Sequence, residues 1–295
     1  MTQPVSSSAT TMASAADPRR EALCHWLESL GRYPKFELRP ASSDASFRRY
    51  FRIHHAGGTA IIMDAPTERE NCQPFVHVAK LMRAAGLNVP EILAQDLARG
   101  FLLLSDLGTQ TYLQVIDETS ADPLFADAIG ALVRWQQATR PGELPPYDDA
   151  LLRRELALFP DWYIDRHHRM VFSENQREAL DVTHNLLVRR ALAQPQVHVH
   201  RDYMPRNLMI SAPNPGVLDF QDAVRGPISY DVVSLFKDAF LSWPEERVRE
   251  WTRRYWHVAR AGSLPVSADF DDFYADFEWM GVQRHLKVLG IFARI

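Results

Sequence analysis

Strand-type and helix-type patterning occupy different parts of this 295-residue chain, and that segregation constrains the fold more than any single motif. A first helical run, "PRREALCHWLESLG", closes at Gly31. The segments "FELRP", "SFRRYFRIHH" and "TAIIMDAP" then read as strands, with "HHAGG" as a hairpin turn. In the middle strand Phe47, Phe51 and Ile53 fall on one face, and Arg48, Tyr50, Arg52 and His54 on the other. A helix over "QPFVHVAKLMRAAG" comes next, then strands at "EILAQDL" and "FLLLSDLG". Beyond Gly108 the periodicity becomes that of helices, over "DPLFADAIGALVRWQQAT", "DDALLRRELALFPDWYI" and "SENQREALDVTHNLLVRRALAQ". The last opens with a capping box, Ser173 with Gln176. Short strands return only between "VHVHRDYMPRNLMI" and "VLDFQD", and helices resume from "PISYDVVSLFKDAF" to the end. The expected class is α+β, with a tail over 1–18, a small β-rich lobe over 19–107 and a larger helical lobe over 108–295. Two such lobes would make a cleft at their junction, a common location for a ligand. The final "GIFARI" stops inside an apolar periodic run, as a C-terminal truncation or a helix ending at the terminus would.

Composition excludes several classes. With 46% apolar and 11% aromatic residues the chain can bury a full core, which rules out wholesale disorder. A net charge of −4 supplies no basic field, so neither nucleic acid nor an anionic membrane is an expected partner. Cys24 and Cys72 are too few for a disulfide framework and form no CxxC or Cys/His zinc spacing, which suits a reducing cytoplasm. The opening "MTQPVSSSATTMASAAD" has neither the basic nor the apolar region of a signal peptide and reads as a disordered tail.

The chemistry concentrates at residues 197–222. His200, Arg201, Asp202 and Asn207 fit H-R-D-x-x-x-x-N, and Asp219-Phe220 closes the stretch "LMISAPNPGVLDF". That stretch reads as strand, turn and strand, a hairpin that would bring Asp219 alongside Asn207. Phosphoryl transfer needs these residue types in this order. One carboxylate accepts the proton of the attacking hydroxyl, while an amide and a second carboxylate hold Mg²⁺ against the phosphates.

On these residues the sequence resembles the aminoglycoside phosphotransferase-like branch of the protein-kinase-like superfamily. A closer likeness, to the bacterial anomeric kinases of N-acetylmuramate and N-acetylglucosamine that serve peptidoglycan recycling, runs through "SSDASFRRYF", "MDAP", "RGFLLLSDLGTQTYL", "YDDALLRRE", "VHRDYMPRNLMI", "GVLDFQDA" and "GVQRHLKVLGIFARI". The resemblance implies a two-lobed kinase-like fold and transfer from ATP to the anomeric hydroxyl, giving the α-1-phosphate. It implies Asp202 as catalytic base, Asn207 and Asp219 as Mg²⁺ ligands, and Leu103 to Leu107 as the hinge whose backbone meets adenine. Asp231 in "GPISYD" would buttress the catalytic loop, as would His200.

Other readings stand beside these. His198 and His200 share a strand face, so a His-x-His zinc pair competes; it would need further ligands on later strands, and the chain after 222 reads helical. Two departures from the kinase pattern matter. The loop "ASSDASF" has no glycine, although Ser42, Ser43, Ala45 and Ser46 are small enough for an anion nest; an ordinary polar turn is the alternative. The third strand has Met63 where a phosphate-binding lysine is usual. Arg48, Arg49, Arg52 or Lys80 could supply the cation, with Glu70 the nearest acidic partner. Arg49 joins Ser42, Ser43, Ser46, Leu103, Ser105 and Leu107 in the expected ATP-contacting set. The missing lysine also admits a nucleotide-binding pseudokinase module, against which the intact base, amide and second aspartate argue.

The acceptor stays open at this level. The acidic "ADFDDFYADFEW" alternates with aromatics as the solvated face of an amphipathic helix would. Arg284, His285 and Lys287 would suit an anionic acceptor, or form another solvated face. Asp222 is a substrate-hydroxyl acceptor or a solvated loop carboxylate. Asp222, Arg206 and Arg284 are the expected sugar contacts, in a monomer whose partners are ATP and an amino sugar. Aminoglycoside, choline and homoserine kinases are the alternatives within the same chemistry.

Overall fold

The computed structural model describes residues 17–43 and 47–295. Its chain divides into two compact units. One comprises the residues up to Glu70 with Leu93–Leu104, and the other Asn71–Ile92 with Ser105–Ile295.

The first unit is a sheet backed by one helix. α1 (Pro18–Ser29) begins where the Asp17 carboxylate accepts the backbone N–H of Arg20, with Pro18 in the first turn, where its missing N–H costs nothing. Asp17 and Pro18, the former the cap and the latter the first residue of α1, were expected in the tail; residues 1–16 lie outside the described residues. The strands β1 (Glu37–Ser43), β2 (Arg49–His55), β3 (Gly58–Asp64), β4 (Ile92–Asp96) and β5 (Phe101–Ser105) form one sheet in the order β1-β2-β3-β5-β4. β1 pairs with β2, and β2 with β3, antiparallel. Leu23, Trp26 and Leu27 of α1 pack on Phe51, Ile53, Ala60, Ile62, Phe101 and Leu103, one continuous apolar core. Phe47 does not join it: it precedes β2, is 55% exposed, and lies under the Arg69 guanidinium at 4.4 Å. At Gly100, φ is 74° and a Cβ would lie 1.9 Å from the Ala65 carbonyl oxygen, so only glycine permits the Ala65 N–H···O=C Gly100 bond that enters β5.

The second unit is helical: α2 (Gln73–Ala84), α3 (Tyr112–Val115), α4 (Ala121–Gln137), α5 (Asp149–Leu156), α6 (Glu174–Ala193), α7 (Tyr230–Phe236), α8 (Glu245–Ala261) and α9 (Phe270–Arg294). Short strand pairings interrupt it, built from β6 (Gln196–Val199), β7 (Leu208–Met209), β8 (Gly216–Val217) and β9 (Val224–Pro227). α2, which the expected division at residue 107 placed with the β-rich part, groups with the helical unit. Its Phe75 packs on Phe220 with ring centroids 4.7 Å apart, an apolar contact that propensity along the chain could not reveal. The single helix expected over "DDALLRRELALFPDWYI" ends its regular part at Leu156, whose carbonyl the N–H-less Pro160 cannot meet, and continues from α5 into a π-helical stretch, Phe159–His167. The capping box at Ser173 and Gln176 forms as expected at the start of α6. α9 buries Phe270, Phe273 and Phe277 and exposes Asp271 and Asp272, the amphipathic pattern of its sequence. At Gly290 a Cβ would lie 2.4 Å from the Leu158 backbone, so α9 passes the end of α5 at backbone contact distance.

Candidate active site

β6 delivers the chain to His200, whose imidazole organises the loop beyond it. Its Nδ1 accepts the backbone N–H of Asp202 at 3.2 Å, which makes Nε2 the protonated nitrogen, donating to the Leu218 carbonyl at 2.9 Å. Complete burial lowers its pKa to about 4, so the ring is neutral and the tautomer stays fixed. One side chain thereby ties the residue before Asp219 to Asp202. Both nitrogens of His200 are committed to backbone. His198 faces other surroundings: its ring packs on Trp135 at 4.5 Å, and Nε2 lies 3.6 Å from a Glu143 carboxylate oxygen. With both His200 nitrogens engaged by backbone, the pair has no second imidazole to offer a metal, which removes the His-x-His metal reading.

After Asp202 the chain turns through a 3₁₀ segment, Pro205–Asn207, into β7, and the β7–β8 hairpin returns it to Asp219. Asn207 Nδ2 donates to the Asp202 carbonyl at 2.9 Å and to Asp219 Oδ2 at 3.3 Å, so the hairpin brings Asp202, Asn207 and Asp219 together. Asp219 adopts φ 62° and Arg201 φ 79°. Left-handed backbone at an aspartate is tolerated, but at an arginine it must be held by its surroundings. Arg201 is held from both ends. Its N–H donates to Asp231 Oδ1 at 3.0 Å beside the His200 N–H on Oδ2 at 2.6 Å, and its guanidinium pairs with Glu155. Burial raises the Asp231 pKa to about 7, with those two N–H groups acting the other way.

Glu155 is a residue the sequence reading missed. It is 5% exposed, binds Arg201, stands 3.1 Å from Lys287 Nζ, and accepts the Tyr147 hydroxyl. Burial opposes its charge, but Lys287 and Arg201 outweigh burial and hold its pKa below the usual glutamate value. The signal was available: a glutamate at helical spacing with buried Leu152 and Leu156 sits on the apolar face of α5. Lys287 and Arg284 are buried, not a solvated face of α9, with exposures of 7% and 3%. Lys287 also donates to the Tyr230 hydroxyl at 3.0 Å. Arg284 reaches the Met204 sulfur at 3.8 Å. Arg206 is exposed and lies over the Phe240 ring at 5.1 Å. The exposed Asp222 connects to Asp219 through Gln221, whose Nε2 reaches the Asp222 carboxylate at 3.5 Å and that of Asp219 at 2.9 Å.

Asn207 and Asp219 offer hard oxygen donors, and the Asn207 amide orientation is set by its bond to the Asp202 carbonyl. Among the described residues no group of three or more His, Cys, Asp or Glu side chains could hold a metal. An amide with a carboxylate fits Mg²⁺, which keeps waters and takes phosphate oxygens rather than an all-protein cage.

In the first unit the cations have chosen partners. Arg49 binds Asp17 and Asp64, and Arg19 binds Asp64 as well, so the Arg49 guanidinium is committed to this network. Arg48 pairs with Glu70 at 3.0 Å, both side chains 12% exposed. Ser42 and Ser43 lie in β1 opposite Tyr50 and Arg49, and Ser46 is outside the described residues. Leu103 is a core residue of β5, enclosed by β3 and β4. Ser105 exchanges hydrogen bonds with the Glu91 backbone, accepting its N–H on Oγ at 2.8 Å and donating its own N–H at 2.9 Å. Leu107 follows the strand and is half-buried. Lys80 is exposed on α2.

Comparison with known proteins adds to this geometry. Residues 37–270 match the phosphotransferase enzyme family. A protein of Pseudomonas putida named N-acetylmuramate/N-acetylglucosamine kinase is 55% identical over 289 residues, covering 95% of this chain and 85% of that protein. A protein of the same name from Pseudomonas aeruginosa is 54% identical over 289 residues, covering 95% and 86%. Among solved structures, the ADP-bound aminoglycoside phosphotransferase APH(2'')-Ib matches with a TM-score of 0.57 at 15% identity, covering 90% of this chain and 98% of that one. That last likeness is one of fold.

Proposed function

Because the chain belongs to the phosphotransferase enzyme family, it is an enzyme that transfers phosphate to a hydroxyl, and we propose that it phosphorylates N-acetylmuramate and N-acetylglucosamine at the anomeric position, using ATP. Such a sugar kinase suits cell-wall recycling. The observation that carries the reading is the assembled set Asp202, Asn207 and Asp219, with both nitrogens of His200 spent on keeping the loop in place. A pseudokinase would have no use for that precision.

Each residue has a distinct task. Asp202 takes the proton of the sugar hydroxyl as it attacks the γ-phosphorus; its backbone N–H and carbonyl are held by His200 and Asn207, which fixes where the carboxylate stands. Asn207 and Asp219 would hold Mg²⁺, which when bound supplies positive charge to the phosphate oxygens. Asp231 fixes the loop backbone. Arg48, whose pairing with Glu70 has the form of the kinase lysine–glutamate ion pair, stands in for the absent strand-three lysine in preference to Arg49, which bridges the two carboxylates of Asp17 and Asp64. Leu107, past the end of β5, is the residue of the Leu103–Leu107 run best suited to offer backbone to adenine, since Leu103 and Ser105 are engaged in the sheet and on Glu91.

The anomeric hydroxyl is more acidic than the other sugar alcohols, because the ring oxygen withdraws electron density from its carbon, so one carboxylate suffices to activate it. Position 3 carries the lactyl ether in N-acetylmuramate, so an enzyme accepting both sugars must act elsewhere. ATP consumption with 1-O-methyl glycosides and 6-deoxy analogues tests the position. The methyl glycosides should be inert, the 6-deoxy sugars should react, and the product should show phosphorus coupling to C1. Coupling to C6 overturns the anomeric assignment.

A further inference from the structure

Two charged groups beside the catalytic loop are buried without full partners. Arg284 on α9 is 3% exposed, and Asp238, just after α7, is 8% exposed. His285 Nε2 and the Lys237 carbonyl, 3.2 Å apart, hold the two segments against each other. Arg284 Nη2 meets only the Met204 thioether, a weak acceptor, and its Nη1 has no hydrogen-bond partner among the described residues. Asp238 Oδ1 accepts the Ala239 N–H at 2.7 Å, while Oδ2 likewise has no partner among the described residues. Burial raises the Asp238 pKa, and the positive charge of Arg284 and the backbone N–H groups of Ala239 and Phe240 act against that rise. Buried charges left so are rare, because each has lost its hydration.

We propose that Arg284 and Asp238 together read the 2-acetamido group of the acceptor, Arg284 donating to its carbonyl and Asp238 accepting its N–H. The assignment rests on the amino-sugar kinase reading and supplies its specificity. A trans secondary amide presents C=O and N–H on opposite edges, so it needs a donor and an acceptor held near each other but not bonded. A carboxylate would satisfy Arg284 and be repelled by Asp238. The location agrees with the chemistry. Met204, which Arg284 touches, donates its N–H to the Asp202 carbonyl at 2.9 Å. The substituent on C2 is next to O1, so a site that holds it beside Asp202 brings O1, not O6, to the base. Phe240, 45% exposed with its ring 6.0 Å from Phe292, offers an apolar flank for a methyl group or sugar face.

The test compares kcat/KM for N-acetylglucosamine, N-acetylmuramate, glucose and 2-deoxyglucose in the full chain, for wild type, Asp238→Leu and Arg284→Met. Each variant should lose about 10- to 100-fold on both N-acetyl sugars alike, the value of one hydrogen bond to a charged group, so that preference over glucose collapses. Asp238→Asn and Arg284→Lys read the same ratio if the apolar variants fail to fold. An undiminished preference, or a loss confined to N-acetylmuramate in the Arg284 variants, overturns the assignment; the latter would put the guanidinium on the lactyl carboxylate. If wild type consumes no ATP with either N-acetyl sugar, the kinase reading itself fails and takes the assignment with it.

Discussion

Replacing Glu155 by Gln keeps its shape and removes its charge, which strands two cations. Arg201 and Lys287 both rest on this carboxylate, with side-chain exposures of 18% and 9%, and Glu155 itself is 5% exposed. Breaking a buried ion cluster by removing one member costs about 3–5 kcal/mol, because the remaining charge has neither water nor counter-ion. For a unit of this size about 2 °C of melting temperature accompanies each kcal/mol, so Glu155→Gln should melt about 6–10 °C lower near neutral pH. Adding Lys287→Met removes one stranded cation and should recover roughly half of the loss. The pH dependence has a definite sign. The Glu155 pKa is lower in the folded chain, so its contribution is present above the ordinary glutamate value and disappears as pH falls through the folded one. The gap between wild type and variant should therefore narrow on acidification. Arg201 also loses the anchor that sustains its left-handed backbone next to Asp202, so kcat should fall by about tenfold. Thermal unfolding followed by circular dichroism, with a steady-state assay beside it, measures both effects. A melting temperature within about 1 °C of wild type near neutral pH would refute the claim that Glu155 neutralises this cluster.

Asp202→Asn should retain the fold and nucleotide affinity while kcat drops about 10²- to 10⁴-fold; near wild-type kcat at saturating sugar removes Asp202 from the role of base. Asp219→Ala should abolish turnover and Asn207→Ala should raise the Mg²⁺ concentration needed for half-maximal rate, whereas parental Mg²⁺ titrations in both would dismiss them as metal ligands. Arg48→Met should raise the KM for ATP more than Arg49→Met, which should instead lower the melting temperature by freeing Asp17 and leaving the buried Asp64 to Arg19; the reverse pattern would return the phosphate-facing role to Arg49.

Local chemistry was readable along the chain wherever it depended on neighbours in sequence. The capping box at Ser173 and Gln176 closes within one helical turn. The β7–β8 hairpin is written in its apolar pairs and the Pro/Asn/Gly turn, and with it comes the proximity of Asn207 to Asp219. Fold class followed from the same cause, since period two and period 3.6 need only a few residues to declare themselves. Features that depended on distant partners were decided by tertiary structure. Phe47 fits the alternation of β2 yet lies outside the core, because the strand begins at Arg49 and Arg69 covers the ring. Arg48 and Arg49 were both candidates for the missing cation in sequence; only the placement of Glu70, Asp17 and Asp64 shows which carboxylates each one meets. Arg284 and Lys287 could be read in sequence either as an anion-binding pair or as a solvated helix face, and only the structure shows that both are buried. Charge and burial along one helix are separable only when its neighbours are known, because a long polar side chain looks the same in sequence whether it meets water or a buried counter-charge.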